Sequence, residues 1–200
     1  VSVTHVDETS TVVFNHAPMN LLNIDTMDAL LAAHRDADAH PDTRVIVLRS
    51  AIDGLFSNGL DPMAVLAADS GGCVAIFEAL GRMIQGLISL GKPHIAVLNG
   101  PALAGGAVLA ATADFRYLDE EAGAICFAEV KVGLPVPASM IAVIRQYCTP
   151  PMLREVVLLG KHIKAPLALK AGLADGIAPA AKLEEMVTTQ VARLARLSPA

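Results

Sequence analysis

With 200 residues, 54% of them hydrophobic, and a mean hydropathy of +0.52, the chain can bury one substantial core and is neither disordered nor of low complexity. A formal net charge of -5, without a Lys/Arg stripe interleaved with aromatics, argues against a general nucleic-acid binder, so an anionic ligand would need a local basic patch. Polar residues interrupt the apolar ones throughout, and no continuous apolar run of membrane-spanning length is expected.

In chain order, residues 11–14 read as a short strand, and the turn-rich residues 15–23 lead into a helix over about 25–39 with Met27, Leu30, Leu31 and His34 on one face. Residues 44–49 form a near-continuous apolar strand, the kind buried on both faces of a parallel sheet. A loop over 51–58 is followed by Asp61-Pro62, an N-cap with proline at the first helical position. A helix over about 74–90 then feeds a strand over 93–98.

The small-residue run from Asn99 to Gly106 carries that strand into a helix over 105–113. Strands are expected at 114–118 and about 125–130, and helices at about 139–147, 151–159 and 183–196. Strand and helix alternate over the first two thirds, which predicts an α/β layer architecture. No linker, charge block or repeat divides residues 1–200, so one domain is expected, mainly helical from about residue 139.

Cys73, Cys126 and Cys148 are odd in number and widely spaced; they suit neither a zinc knuckle nor a disulfide framework and read as buried thiols of a reducing compartment. The chain opens without a basic-apolar-small leader, and Leu197-Ser198-Pro199-Ala200 is no peroxisomal address, which makes the cytoplasm the expected location.

Two segments have the same form, a strand, a glycine-containing bend and a helix start: Phe56-Ser57-Asn58-Gly59-Leu60-Asp61 and Ala104-Gly105-Gly106. If the fold brings them together, the N–H groups of Leu60 and Gly105 can converge on one oxygen, an oxyanion hole for an enolate or a tetrahedral intermediate. The plainer reading of Gly105-Gly106 is a tight turn packed on the core. Glu129 has two readings as well. Its neighbours alternate as on a half-solvated strand, which makes it a surface residue, whereas an apolar pocket walled by Leu134, Val136 and Met140 would make it a base of raised pKa. His94 and His162 have no Ser or Cys partner at a recognisable spacing and read as core or surface histidines. Asp61 reads as a cap rather than an acid, and Lys161 and Lys164 as solvated lysines within reach of a phosphate.

Four segments in order carry a resemblance. Phe56 to Asp61 is similar to F-S-A-G-x-D, Leu98-Asn99-Gly100 through Gly105-Gly106 to V-N-G-x-x-x-G-G-G, and Glu129 to Pro135 to P-E-x-x-x-G-x-x-P. Leu158-Leu159-Gly160-Lys161 with Ala168 to Leu173 resembles L-T-G…A-x-x-x-G-L-V. These are segments of the enoyl-CoA hydratase/isomerase family, the crotonase superfamily.

The resemblance implies a crotonase-like spiral of ββα repeats with C-terminal helices, a homotrimer or dimer of trimers, and an acyl-CoA thioester as substrate. Coenzyme A then enters as part of the substrate, with no other cofactor and no metal. The amides of Leu60 and Gly105 match the oxyanion hole. Asn20 and Leu22, in a turn similar to P-x-N-x-L, together with Asn58, Gly59 and Gly106, match positions that contact the CoA ester. Asn58 stands where the family pattern has alanine, and the chain is expected to stop short of the family's last helices.

Of the family's two catalytic carboxylates, Glu129 matches one and Val108 stands at the other. Hydration divides its proton transfers between two carboxyl groups, whereas moving a double bond from the 3,4 to the 2,3 position needs one base. The run from Glu129 to Pro137 resembles the plant-type and peroxisomal Δ3,Δ2-enoyl-CoA isomerases, with Ala128 in place of their serine. The implied activity is therefore an enoyl-CoA isomerase with Glu129 as base. The alternatives are an enoyl-CoA hydratase or other crotonase-type thioester chemistry, such as hydrolysis or decarboxylation, or a noncatalytic acyl-CoA-binding protein.

Overall fold

Alternation of inward and outward residues sets the first two strands, β1 (Ser2–Val6) and β2 (Thr9–Phe14), antiparallel about a turn in which Asp7 takes a φ of 50°. The computed structural model describes residues 1–197; residues 198–200, which hold most of the C-terminal tetrapeptide Leu197-Ser198-Pro199-Ala200 that reads as no peroxisomal address, lie outside the described residues.

After β3 (Leu21–Leu22) comes α1 (Ile24–Ala39), opened by a capping box in which Asn23 Oδ1 accepts the Thr26 N–H while Thr26 Oγ1 accepts the Asn23 N–H. The chain continues through β4 (Val45–Ser50), β5 (Gly59–Leu60), α2 (Pro62–Ala67) and α3 (Ser70–Ile88). Then follow β6 (His94–Leu98), β7 (Pro101–Leu103), α4 (Gly105–Ala111), β8 (Phe115–Asp119) and β9 (Ala124–Cys126). A 3₁₀ turn at Glu129–Val132 leads to α5 (Ala138–Ile144), α6 (Pro150–Leu159), β10 (Ile163–Lys164), α7 (Ala165–Ala171), β11 (Gly176–Ala178) and α8 (Ala180–Ala195).

The long strands form one six-stranded sheet in the order β1-β2-β4-β6-β8-β11, parallel except for the β1–β2 pair. The short strands that follow them pair separately, β3 with β5, and β9 between β7 and β10. A long strand, a short strand in a second layer and a helix thus recur along the chain, as the ββα expectation requires.

The sheet divides two cores. In β4 and β6 the residues Ile46, Leu48, Ala96 and Leu98 face the main core with α1 and α3, while Val45, Val47, Ile95 and Val97 pack under Leu183, Val187 and Leu194 of α8. That two-sided burial explains why both strands read as unbroken apolar runs.

α3 is long and apolar enough, by length and composition, to cross a membrane, although polar residues interrupt its apolar run. In the fold one face of it is buried, through Ile76, Leu80, Met83, Ile84 and Leu87, with Gly86 so close to α1 that a Cβ there would meet Leu31 Cδ1 at 2.3 Å.

Two further expectations need correction. The strand predicted over 125–130 ends at Cys126, because the chain turns at Ala128 into the 3₁₀ segment; the alternating pattern there is a coincidence of composition. The C-terminal part contains α7 in addition to the three predicted helices, a short alanine-rich helix opened by Pro166 and closed by Gly172 in the left-handed conformation. All three cysteines are free, with Cys126 and Cys148 buried.

Candidate active site

Residues 56–60 are placed by three short pairings. The N–H groups of Phe56 and Ser57 both donate to Pro101 O, at 3.0 and 3.2 Å, and Leu103 N–H donates to Ser57 O at 2.9 Å, which lays the segment along β7. Asp61 N–H then donates to Leu22 O at 2.9 Å. In a parallel ladder the residue between two bonded positions points its own amide away, so the Leu60 N–H leaves β3 and faces outward from that pair.

Gly105 begins α4 on that side. A Cβ on Gly105 would stand 3.3 Å from Leu60 N, and one on Gly59 would lie 2.7 Å from Gly105 N and 2.6 Å from Leu103 O. Only glycine at 59, where φ is +84°, leaves the two amides this close together. The turn into α4 is set by Ala104 at φ 46° and ψ −124°, with its N–H held by Cys126 O at 2.7 Å. Two amides gathered in a glycine-lined space suit an oxygen on which negative charge develops.

Glu129 leaves the same ladder end. Leu103 is in register with Cys126, and three residues later Glu129 opens the 3₁₀ turn, which Gly133 closes with φ 73°. The turn swings the carboxylate inward while Val130 and Val132 stay exposed. Glu129 is only 5% exposed, and its Oε2 is buried without a hydrogen-bond partner among the described residues. Burial pushes its carboxyl above the ordinary 4.5, with a hydrogen bond from its own backbone pulling partly the other way. Of the expected walls, Met140 is buried and Val136 packs partly buried on the same core.

Several predicted residues sit in the scaffold rather than at a ligand surface. Asn20 is fully buried at φ 47°; its side-chain amide donates to Phe14 O, Ser50 Oγ and Phe56 O, and its Oδ1 accepts the His16 N–H. With both amide hydrogens used, Asn20 is corrected from a ligand contact to an internal brace. Leu22 is 1% exposed and lies beneath Gly105, its Cδ1 3.2 Å from where a Cβ there would be, so it is a floor residue. Gly106 lets α4 pack on Ser57, whose carbonyl would lie 2.5 Å from an added Cβ. Asn58 is half-buried, its N–H on Met19 O.

Val108 is fully buried in α4. Asp61 caps α2 through Met63 and Ala64 N–H, as its sequence position indicates. Lys161 is paired with Glu155 at 2.9 Å, Lys164 is exposed, and His162 is exposed. His94 is buried against His34. Ser57 is the residue sequence reasoning passed over; the only signal for it was its place in the F-S-x-G segment.

Beside Leu60, a cleft of about 350 Å³ opens between α1, α2 and α3, floored by Leu22, Ile24, Ala64 and Ile76 and edged by Asn23, Asp25 and Asp61. Among the described residues, no three His, Cys, Asp or Glu side chains are grouped to hold a metal ion.

A family model described as enoyl-CoA hydratase/isomerase matches residues 9–200. The chain is 30% identical over 160 residues to enoyl-CoA delta isomerase 2, peroxisomal, of Arabidopsis thaliana, covering 77% of this chain and 67% of that relative. To a putative enoyl-CoA hydratase of Thermus thermophilus it is 31% identical over 193 residues, covering 94% and 75%. The chain therefore spans about two thirds to three quarters of the length of these relatives.

An enoyl-CoA hydrotase/isomerase family protein from Silicibacter pomeroyi superposes with a TM-score of 0.89 at 26% identity, covering 100% of this chain and 85% of the other. An enoyl-CoA hydratase/carnithine racemase from Magnetospirillum magneticum reaches 0.92 at 24% identity, covering 98% and 74%, a likeness of fold alone.

Proposed function

The chain belongs to the enoyl-CoA hydratase/isomerase family, and from that premise we propose that it is a Δ3,Δ2-enoyl-CoA isomerase in which Glu129 is the only proton-transferring carboxylate. The observation that carries this reading is the buried, unpartnered Oε2 of Glu129, set against a fully buried valine at the position matching the family's other carboxylate. Enoyl-CoA hydratase/isomerase chemistry is what the family fixes; the choice of reaction rests on these two side chains.

In the proposed cycle Glu129 Oε2 takes a proton from C2 of a 3-enoyl thioester. The electrons of that C–H bond pass through the carbonyl carbon onto the thioester oxygen, forming a dienolate. The N–H groups of Leu60 and Gly105 hold that oxygen, each donor supplying about 3 kcal/mol of transition-state stabilisation. Protonated Glu129 returns the proton to C4, the double bond settles at C2–C3, and the base is regenerated. The proton and electron count closes without a redox cofactor, a metal or a water.

The isomerase name of the Arabidopsis relative supports this assignment, and that of the Thermus relative makes hydration the rival. Val108 can neither activate water nor protonate carbon, which weighs against the rival. We further propose that coenzyme A enters as part of the substrate, that the acyl-CoA is drawn into the cleft beside Leu60, that the working assembly is a trimer or dimer of trimers, and that the protein acts in the cytoplasm. Glu129→Gln is expected to abolish turnover of a 3-enoyl-CoA while acyl-CoA binding survives; activity retained in that variant removes Glu129 as the base.

A further inference from the structure

Beneath the loop that presents Leu60 lies a closed polar network that the proposed mechanism does not use directly. Ser57 is fully buried, its Oγ 2.6 Å from Asn20 O and 3.1 Å from Gly59 N. A carbonyl oxygen can only accept, so the Ser57 hydroxyl proton points to Asn20 O and an Oγ lone pair is left to accept the Gly59 N–H. Asn20 in turn grips Phe14 O, Ser50 Oγ and Phe56 O. The proton directions are therefore fixed along the whole path from β2 to Gly59.

The effect falls on one peptide unit. Ser57 pins the amide of Gly59, and the bond from Asp61 N–H to Leu22 O pins the amide of Asp61. The unit between them, whose N–H belongs to Leu60, has its carbonyl turned toward β3 by the parallel ladder and its N–H turned the other way. Gly59, at φ +84°, has no side chain to limit a tilt of that unit within the two-residue ladder, and a tilt would carry the Leu60 N–H away from the Gly105 amide unless Ser57 holds the Gly59 amide. We infer that Ser57, braced by Asn20, is a positioning residue that fixes the direction of the Leu60 N–H donor. This rests on the reading of Leu60 and Gly105 as an oxyanion hole.

The test is the carbonyl stretch of a saturated acyl-CoA bound to the wild type and to Ser57→Ala, read by Raman or infrared difference spectroscopy, together with kcat and KM for a 3-enoyl-CoA. The saturated ester needs no turnover, so it reports donor geometry even if the reaction is another of the family's. The expected result is a lowered stretch in the wild type that moves back toward the free-ester value in Ser57→Ala, with kcat reduced roughly 10- to 100-fold and KM changed by less than about twofold. Ser57→Cys, which keeps a weak acceptor, is expected to fall between the two and supplies the reading should Ser57→Ala fail to fold.

An unchanged stretch and kcat in a folded Ser57 variant overturns the inference. So does a loss confined to thermal stability, which would mark Ser57 as structural only. If the wild type itself leaves the carbonyl unperturbed, the oxyanion reading falls and this assignment falls with it. A lowered wild-type stretch without isomerase turnover overturns only the proposed reaction and supports the positioning role.

Discussion

Ala104 donates its N–H to Cys126 O at 2.7 Å, and this bond ties the turn that presents Gly105 to the strand that leads into Glu129. The bond is held by an alanine in a conformation, φ 46° and ψ −124°, that L side chains rarely adopt and that costs on the order of 1–3 kcal/mol. Ala104→Gly removes that cost at the expense of about 1 kcal/mol of unfolded-chain entropy. The variant is predicted to gain about 1 kcal/mol and a few degrees in Tm, with kcat within about twofold of the wild type. A lower Tm in a thermal scan would contradict the strain.

Glu129 links stability to pH with a definite sign. Its folded pKa is raised by burial, so the stability tied to its protonated form is fully present below the ordinary 4.5 and is lost as pH rises through the raised value. Glu129→Gln keeps the shape without the titration. Urea denaturation at a series of pH values should show the variant gaining on the wild type as pH climbs from 4.5 and then levelling off. Over the same window kcat of the wild type should rise, because the base works ionised. A stability difference independent of pH would remove the perturbed carboxyl.

The buried His34–His94 pair sets a second, opposite dependence. His34 Nδ1 lies 2.7 Å from Leu30 O and must be the protonated nitrogen, so its bare Nε2 accepts the Nε2–H of His94 at 3.2 Å and leaves His94 Nδ1 bare, with no partner among the described residues. Burial holds His34 at about 4, below the ordinary 6.5, and pushes His94 down as well. A depressed folded pKa means stability that is present above 6.5 and lost as pH falls toward 4, up to about 3 kcal/mol for His34 alone. His34→Met is predicted to flatten the fall in denaturation midpoint between pH 7 and pH 5; an unchanged slope assigns the acid sensitivity elsewhere.

Val108 is predicted to be a wall residue. Val108→Ala, at a fully buried position, should cost about 2 kcal/mol of stability through the cavity it leaves. Turnover should continue within about threefold and give the same unhydrated product by mass spectrometry. A larger loss of kcat in a folded variant would mean that Val108 shapes the reacting geometry.

The caps and the main strands were legible because their signals are local. Asp61-Pro62 opens α2 as read, and residues 44–49 and 93–98 become the buried centre of the sheet. The meeting of Leu60 with Gly105 was readable from two similar bends, although their contact passes through β3, β5 and β7, strands of two or three residues too short to show a period. Glu129 was placed on a strand because its neighbours alternate, and only the turn at Ala128 accounts for its burial. The sequence does not separate Asn20 from a ligand contact or single out Ser57, since the groups that consume their hydrogen-bonding capacity lie up to 37 residues away. The pairing of His34 with His94, 60 residues apart, is likewise a product of the helix-on-sheet packing.

One carboxylate shuttling one proton has a direct signature when the protein is incubated separately with a 3-enoyl-CoA and a 2-enoyl-CoA in deuterated water, with double-bond position and mass followed by NMR and mass spectrometry. The expected result is conversion of the 3-enoyl to the 2-enoyl ester, any deuterium at C2 or C4, and no addition of water to either ester. A 3-hydroxyacyl product, or failure to move the double bond in a protein that binds acyl-CoA, would contradict it.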